Sequence, residues 1–231
     1  MGITGVWLIV FLHILAARTG LFCFYIIVLG TAAWLIINKM KWKYIILLFG
    51  LIILLPITAY YTLPTFQNRV KYISYEFDFF KKADYRPGFN DGIRVISIRA
   101  GLNLVKEQPL TGTGFGDIPA ETNKWYEKHY PQMIPADRIY PSSEWLIYGA
   151  GCGVPGMLVF LIVMLIPFFT RLRHPLWWLL NLITPFSLLF DIGLEVQFGV
   201  FAYCFTTLWW YKRLKEGDDL KRTHGRSPDS T

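Results

Sequence analysis

The sequence predicts an all-α integral membrane protein with about six transmembrane helices and one long polar loop. Three observations carry that prediction. Of the 231 residues, 54% are hydrophobic and 17% aromatic, and the mean hydropathy is +0.37, more apolar than soluble domains usually are. The apolar residues gather in runs of roughly 20, the length a helix needs to cross a bilayer core. The basic residues sit between and after those runs as short clusters, as juxtamembrane charges do. The formal net charge of +7 therefore reflects membrane topology and does not imply nucleic-acid binding.

The first three runs cover about 3–16, 19–38 and 44–63. The first is short for a full span and suits a tilted, truncated or interfacial helix. Lys39, Lys41 and Lys43 separate the second from the third. Three more runs follow at about 146–169, 175–191 and 195–211, with Arg171 and Arg173 after the first of them. Lys212, Arg213, Lys215, Lys221, Arg222 and Arg226 follow the last.

Placing these clusters inside puts both termini of a multi-pass membrane protein in the cytoplasm. The polar loop then lies outside, in the periplasm of a Gram-negative cell. It holds eleven Lys and Arg residues, and this does not oppose the topology, because long loops translocate regardless of charge.

The chain so divides into helices 1–3 over 1–63, the loop over 64–145, helices 4–6 over 146–211, and a polar, disordered cytoplasmic tail over 212–231. The loop is too short to bury much core of its own, so it is expected to lie on the membrane and the neighbouring helices.

No cleavable signal peptide is expected, since the first run lacks a basic leader and another membrane segment follows at once. Cys23, Cys152 and Cys204 fall in apolar or glycine-rich segments and read as packing residues without a disulfide framework. No closely spaced Cys and His pattern suggests zinc.

Inside the loop, helical spacing over 94–106 puts Val95, Ile98, Leu102 and Val105 on one face, bordered by Arg94 on one side and Arg99 and Lys106 on the other. That is the pattern of an interfacial helix. Pro109 and Gly112 end it. Arg94 and Arg99 are suited to bidentate recognition of a phosphate group at the membrane surface. The plainer reading is two side chains snorkelling from an amphipathic helix.

Gly112, Gly114 and Gly116 form a G-x-G-x-G turn. It is either an anion-binding nest of backbone amides or a helix-ending loop. At the outer end of the fourth long helix, Ser142 or Ser143 reads as an N-cap, with Glu144 favouring the positive helix end. The same geometry offers an anion site, with Glu144 as a general base.

Arg18 lies between two apolar runs, where a charge is either functional or interfacial. Asp191 and Glu195 fall in the turn between the last two runs. They either pair with the arginines, orient sugar hydroxyls or sit in an exposed turn. His13 reads as a packed or interhelical residue, and His129 shows no partner in the sequence.

Taken together, these residues resemble the O-antigen ligase/polymerase superfamily. Ala17-Arg18-Thr19-Gly20 looks like the family's Ser-Arg-x-Gly junction. Arg94 followed by Pro109-Leu-Thr-Gly-Thr-Gly-Phe-Gly116 matches its arginine-to-glycine-turn spacing. Ser142-Ser-Glu-Trp-Leu146 sits where the family has His-Asn-x-x-Leu before a Gly-x-x-Gly helix. Leu194-Glu-Val-Gln-Phe-Gly199 resembles its late Glu-x-x-x-Gly segment.

The resemblance covers most of the chain and corresponds to the C-terminal part of longer, many-helix proteins, so a fragment or a chain that needs a partner is expected. It implies metal-free, cofactor-free inverting transfer of a glycan. The donor would be undecaprenyl pyrophosphate-linked, held by Arg94 with Arg18 and Arg99. The acceptor would be a hydroxyl of lipid A core, another glycan or a protein. The family's histidine, which activates the acceptor, is replaced here by Ser142. That leaves three alternatives: Glu144 substitutes for it, the reaction differs, or the chain is a non-catalytic partner in a polysaccharide assembly complex. A transporter ranks last, because few charges fall within the helices.

Overall fold

A computed structural model describes residues 2–38, 42–80, 85–170, 172 and 174–224. Among them the fold is all-helical, with no strand. The elements are α1 (Gly2–Leu15), α2 (Arg18–Ile37), α3 (Trp42–Thr62), α4 (Pro64–Phe80), α5 (Asn90–Glu107), α6 (Ile118–His129), α7 (Glu144–Leu165), α8 (Pro175–Ser187) and α9 (Gln197–His224). Two 3-10 turns lie at Pro135–Asp137 and Ile166–Phe169.

Among the described residues, three helices are long and apolar enough to cross a membrane: Arg18–Ile37, Trp42–Thr62 and Glu144–Phe169. α1 is apolar but has only 14 residues, and α8 has 13. α9 runs to 28 residues because its apolar half continues directly into the basic tail. The tail expected to be disordered is therefore helical as far as His224. Lys39, Lys41, Arg171, Arg173 and Arg226 lie outside the described residues.

The segment between α3 and α7 departs furthest from expectation. It holds three helices, where sequence spacing predicted one, and it does build a core. Tyr85, Ile93, Ile96, Ala100, Tyr126 and Met133 are buried together, with Trp125, Tyr130 and Ile139 packed around them. Tyr126 closes this core by donating from its hydroxyl to the Ile139 carbonyl at 2.8 Å.

The buried face of α5 also differs from the predicted one. Ile93, Ile96, Ser97, Ala100, Gly101 and Leu104 are buried, while Leu102 is exposed and Val95, Ile98 and Val105 are only half-buried. Both stripes have helical spacing. The buried one wins because its small residues let α7 approach closely: a Cβ on Gly101 would stand 3.2 Å from Leu146 Cβ.

α2 packs between α3 and α8, and α1 rests on α2 and α4. His13 is buried in this region, with Nδ1 2.8 Å from the Ile9 carbonyl and Nε2 2.9 Å from the Tyr25 hydroxyl, so it is a packed residue as expected. The three cysteines are free.

Candidate anion-binding cleft

α7 is broken where the glycine turn meets it. Gly153 takes φ 67° and ψ −165°, and Pro155 two residues on has no amide to give to the Gly151 carbonyl. The loop after α5 fills the gap. Thr113 N–H donates to the Ala150 carbonyl at 2.6 Å and Gly114 N–H to the Gly151 carbonyl at 3.0 Å. Val154 N–H donates in return to the Pro109 carbonyl at 2.7 Å. The loop therefore replaces two helix hydrogen bonds that the break removes.

Glycine is required at the centre of this splint. Gly112 has φ 68°, and a Cβ there would stand 2.5 Å from Cys152 N. The 113 and 114 amides are thus spent on α7 and form no anion nest.

Ser142 and Ser143 do not cap α7 with their side chains. Ser142 is buried, and its hydroxyl lies 2.9 Å from that of Ser97. Ser142 N–H also donates to Ser97 Oγ at 3.1 Å, and Ser97 Oγ donates to the Arg94 carbonyl at 2.8 Å. Ser142 so staples the start of α7 to the turn of α5 that carries Arg94.

Glu144 is 1% exposed. Its Oε2 accepts from Gly193 N–H at 3.0 Å and Leu194 N–H at 3.1 Å. Its own amide donates to the Leu188 carbonyl at 3.0 Å. Glu144 therefore clamps the turn between α8 and α9 onto the start of α7.

The clamped turn presents Asp191 to a polar cleft of about 910 Å³. Arg18, Arg69 and Arg94 line this cleft, as do Asp91, Asp137 and Asp191. The first turns of α2, α4 and α5 all open onto it, through Thr19, Thr65 and Asn90 among others. Helix N-termini carry positive partial charge and free amides, which favour an anion.

Arg18 is ion-paired with Asp91. Arg94 Nη2 lies 3.6 Å from Asp191 Oδ1, and Arg94 Nη1 donates to the Phe190 carbonyl at 3.5 Å. Thr19 Oγ1 donates to Asp191 Oδ2 at 3.4 Å. The Arg94–Asp191 pair is close to half-exposed, so both groups remain accessible to a ligand.

Of the residues singled out in the sequence, Arg18, Arg94 and Asp191 thus meet in one cleft. Arg99, Ser142, Glu144 and Glu195 do not line it. Arg99 follows Arg94 by five residues, about 140° around a helix, and is exposed elsewhere on α5. Glu195 is exposed just beyond the clamped turn. Sequence reasoning missed Arg69, Asp91 and Asp137. The only available signal was a polar residue at or near a helix start, which is common in any loop.

An all-helical chain with three helices long and apolar enough to cross a membrane among its described residues is a membrane protein, and its polar cleft sets three arginines among three aspartates. The O-antigen ligase family model matches residues 3–161, and the chain belongs to that family. Arg18, Arg69, Arg94, Asp137, Ser142 and Glu144 lie inside the match, and Asp191 lies beyond it. No curated protein and no solved structure matches the chain.

Proposed function

We propose that this protein transfers a glycan from an undecaprenyl-pyrophosphate donor to a hydroxyl acceptor at the periplasmic face of the inner membrane, in cell-surface polysaccharide synthesis. The observation that carries this reading is the convergence of Arg18, Arg69 and Arg94 with three helix N-termini on one cleft. The reading also takes α1, α8 and α9 as membrane segments beside the three longer spans, with both termini cytoplasmic and the segment between α3 and α7 outside.

The reaction is a displacement at the anomeric carbon. The acceptor oxygen forms the new glycosidic bond while the bond from that carbon to the pyrophosphate oxygen breaks, inverting the configuration. The electron pair leaves on the pyrophosphate, where Arg94, Arg18 and Arg69 neutralise the growing charge. Donors aimed at a developing anion are a large term in catalysis, worth roughly 10²–10³ in rate for a single group. Asp191 holds Arg94 in place, and Glu144 holds the turn that carries Asp191.

The test is complementation. A strain lacking the gene is given wild type, Arg94→Ala or Arg99→Ala, and its extracted surface glycan is run on a gel. The proposal expects a ladder with wild type and Arg99→Ala and none with Arg94→Ala at equal protein level. A normal ladder with Arg94→Ala would overturn it.

The buried, hydrogen-bonded Ser142 at the family's histidine position favours a second reading, a non-catalytic partner in a polysaccharide assembly complex. Under that reading Arg94→Ala leaves the ladder intact, while variants that disturb packing remove it together with partner association.

A further inference from the structure

The proposed transfer needs a proton acceptor for the attacking hydroxyl, and the position of the family histidine cannot supply one, because Ser142 is buried and bonded to Ser97. The carboxylates near the cleft differ in how they are engaged. Asp91 is committed to Arg18. Asp191 faces Arg94 and also accepts from Thr19 and from Ile192 N–H. Glu144 is buried off the cleft under two amides. Each of these carboxylates is thus already held by a cation or by backbone amides.

Asp137 is different. It lines the cleft on the 3-10 turn Pro135–Asp137 and makes no ion pair among the described residues. Its Oδ2 accepts one neutral hydrogen bond, from the Tyr85 hydroxyl at 2.7 Å. That hydroxyl also accepts from Ile134 N–H at 3.2 Å, and the Tyr85 ring is buried in the core of the outer segment. The Asp137 side chain is therefore fixed in direction while it remains partly open to the cleft. Burial, and then the bond to Asp137, raise the Tyr85 phenol above its ordinary value, so Tyr85 stays a donor through the physiological range.

From these contacts we infer that Asp137 is the general base of the reaction, a role that Ser142 at the family's histidine position does not fill. The inference rests on the transferase reading above. In the step, the acceptor hydroxyl gives its proton to Asp137 as its oxygen bonds to the anomeric carbon, and the pyrophosphate departs into the arginines. Charge and atoms balance: one proton passes to the carboxylate and one electron pair to the leaving group.

The experiment uses the full chain in the same deletion strain, reading the glycan ladder by gel and the protein level by immunoblot for Asp137→Asn, Asp137→Glu, Tyr85→Phe and Arg94→Ala. Asp137→Asn is expected to lower ladder formation by about a hundredfold or more, the range for removal of a general base. Asp137→Glu is expected to keep part of it, and Tyr85→Phe, which keeps the carboxylate, most of it.

A wild-type ladder in Asp137→Asn together with loss in Arg94→Ala overturns the base assignment and leaves the transferase reading standing. A wild-type ladder in both overturns both. Should Asp137→Asn fail to accumulate, Tyr85→Phe decides: loss of the ladder in that variant at normal protein level means the pair is structural, and the assignment falls.

Discussion

The carboxylate of Asp191 lies 3.6 Å from the guanidinium of Arg94, joining the turn between α8 and α9 to a helix almost a hundred residues earlier in the chain. The contact exists because Glu144 pins that turn from the other side, through the amides of Gly193 and Leu194. Glu144, read from the sequence as a base, is thereby bonded to the turn that carries Asp191.

Removing the Asp191 charge tests this relation. The pair is close to half-exposed, so Asp191→Asn is expected to change stability by at most about 1 kcal/mol. It should nonetheless reduce glycan transfer, though by less than Arg94→Ala, because it loosens the arginine without deleting it. Thermal unfolding in detergent and the ladder assay together check the split.

Glu144 offers a sharper contrast. Glu144→Gln keeps a side-chain oxygen that can accept from the two amides, so transfer is expected to stay near wild type if the residue is a clamp. Glu144→Ala leaves two partly buried amides without their acceptor, a cost of about 1–3 kcal/mol for each group left unmet. Faster amide exchange at Gly193 and Leu194 in the alanine variant would report the loosened turn. Loss of transfer in Glu144→Gln at normal stability would return the base role to Glu144.

The glycine turn gives a third test. Gly112→Ala combines a positive φ with a Cβ placed 2.5 Å from backbone atoms of α7, and is expected to destabilise by about 3 kcal/mol or more. Gly116→Ala meets nothing within 4 Å and should stay within about 0.5 kcal/mol of wild type. Protein yield and melting temperature in detergent separate the two. Equal tolerance at both positions would mean that the loop does not splint the broken helix.

The apolar runs made α2, α3 and α7 legible, because about 20 apolar residues have few other uses. Arg18, Arg94 and Asp191 were legible as candidates, since a charge flanking an apolar run has to be accommodated. The face of α5 was not. Ser97, Ala100 and Gly101 carry little hydropathy, and their value is the close approach they permit to α7. Neither was the role of Gly112, whose partner atoms lie some forty residues further along the chain. Arg69 and Asp137 became candidates only when the folded chain brought α4 and the 135–137 turn to the same cleft. The 118–129 helix was hidden by its polar composition, which its buried Ile118, Thr122 and Tyr126 interrupt only at wide spacing.

The most direct measurement is lipid binding by the purified full chain in nanodiscs, comparing undecaprenyl pyrophosphate with undecaprenol for wild type and Arg94→Ala. The account predicts that wild type prefers the pyrophosphate and that Arg94→Ala loses at least about tenfold in that preference, or about 1.4 kcal/mol. Equal affinity of wild type for the charged and the uncharged lipid would contradict it.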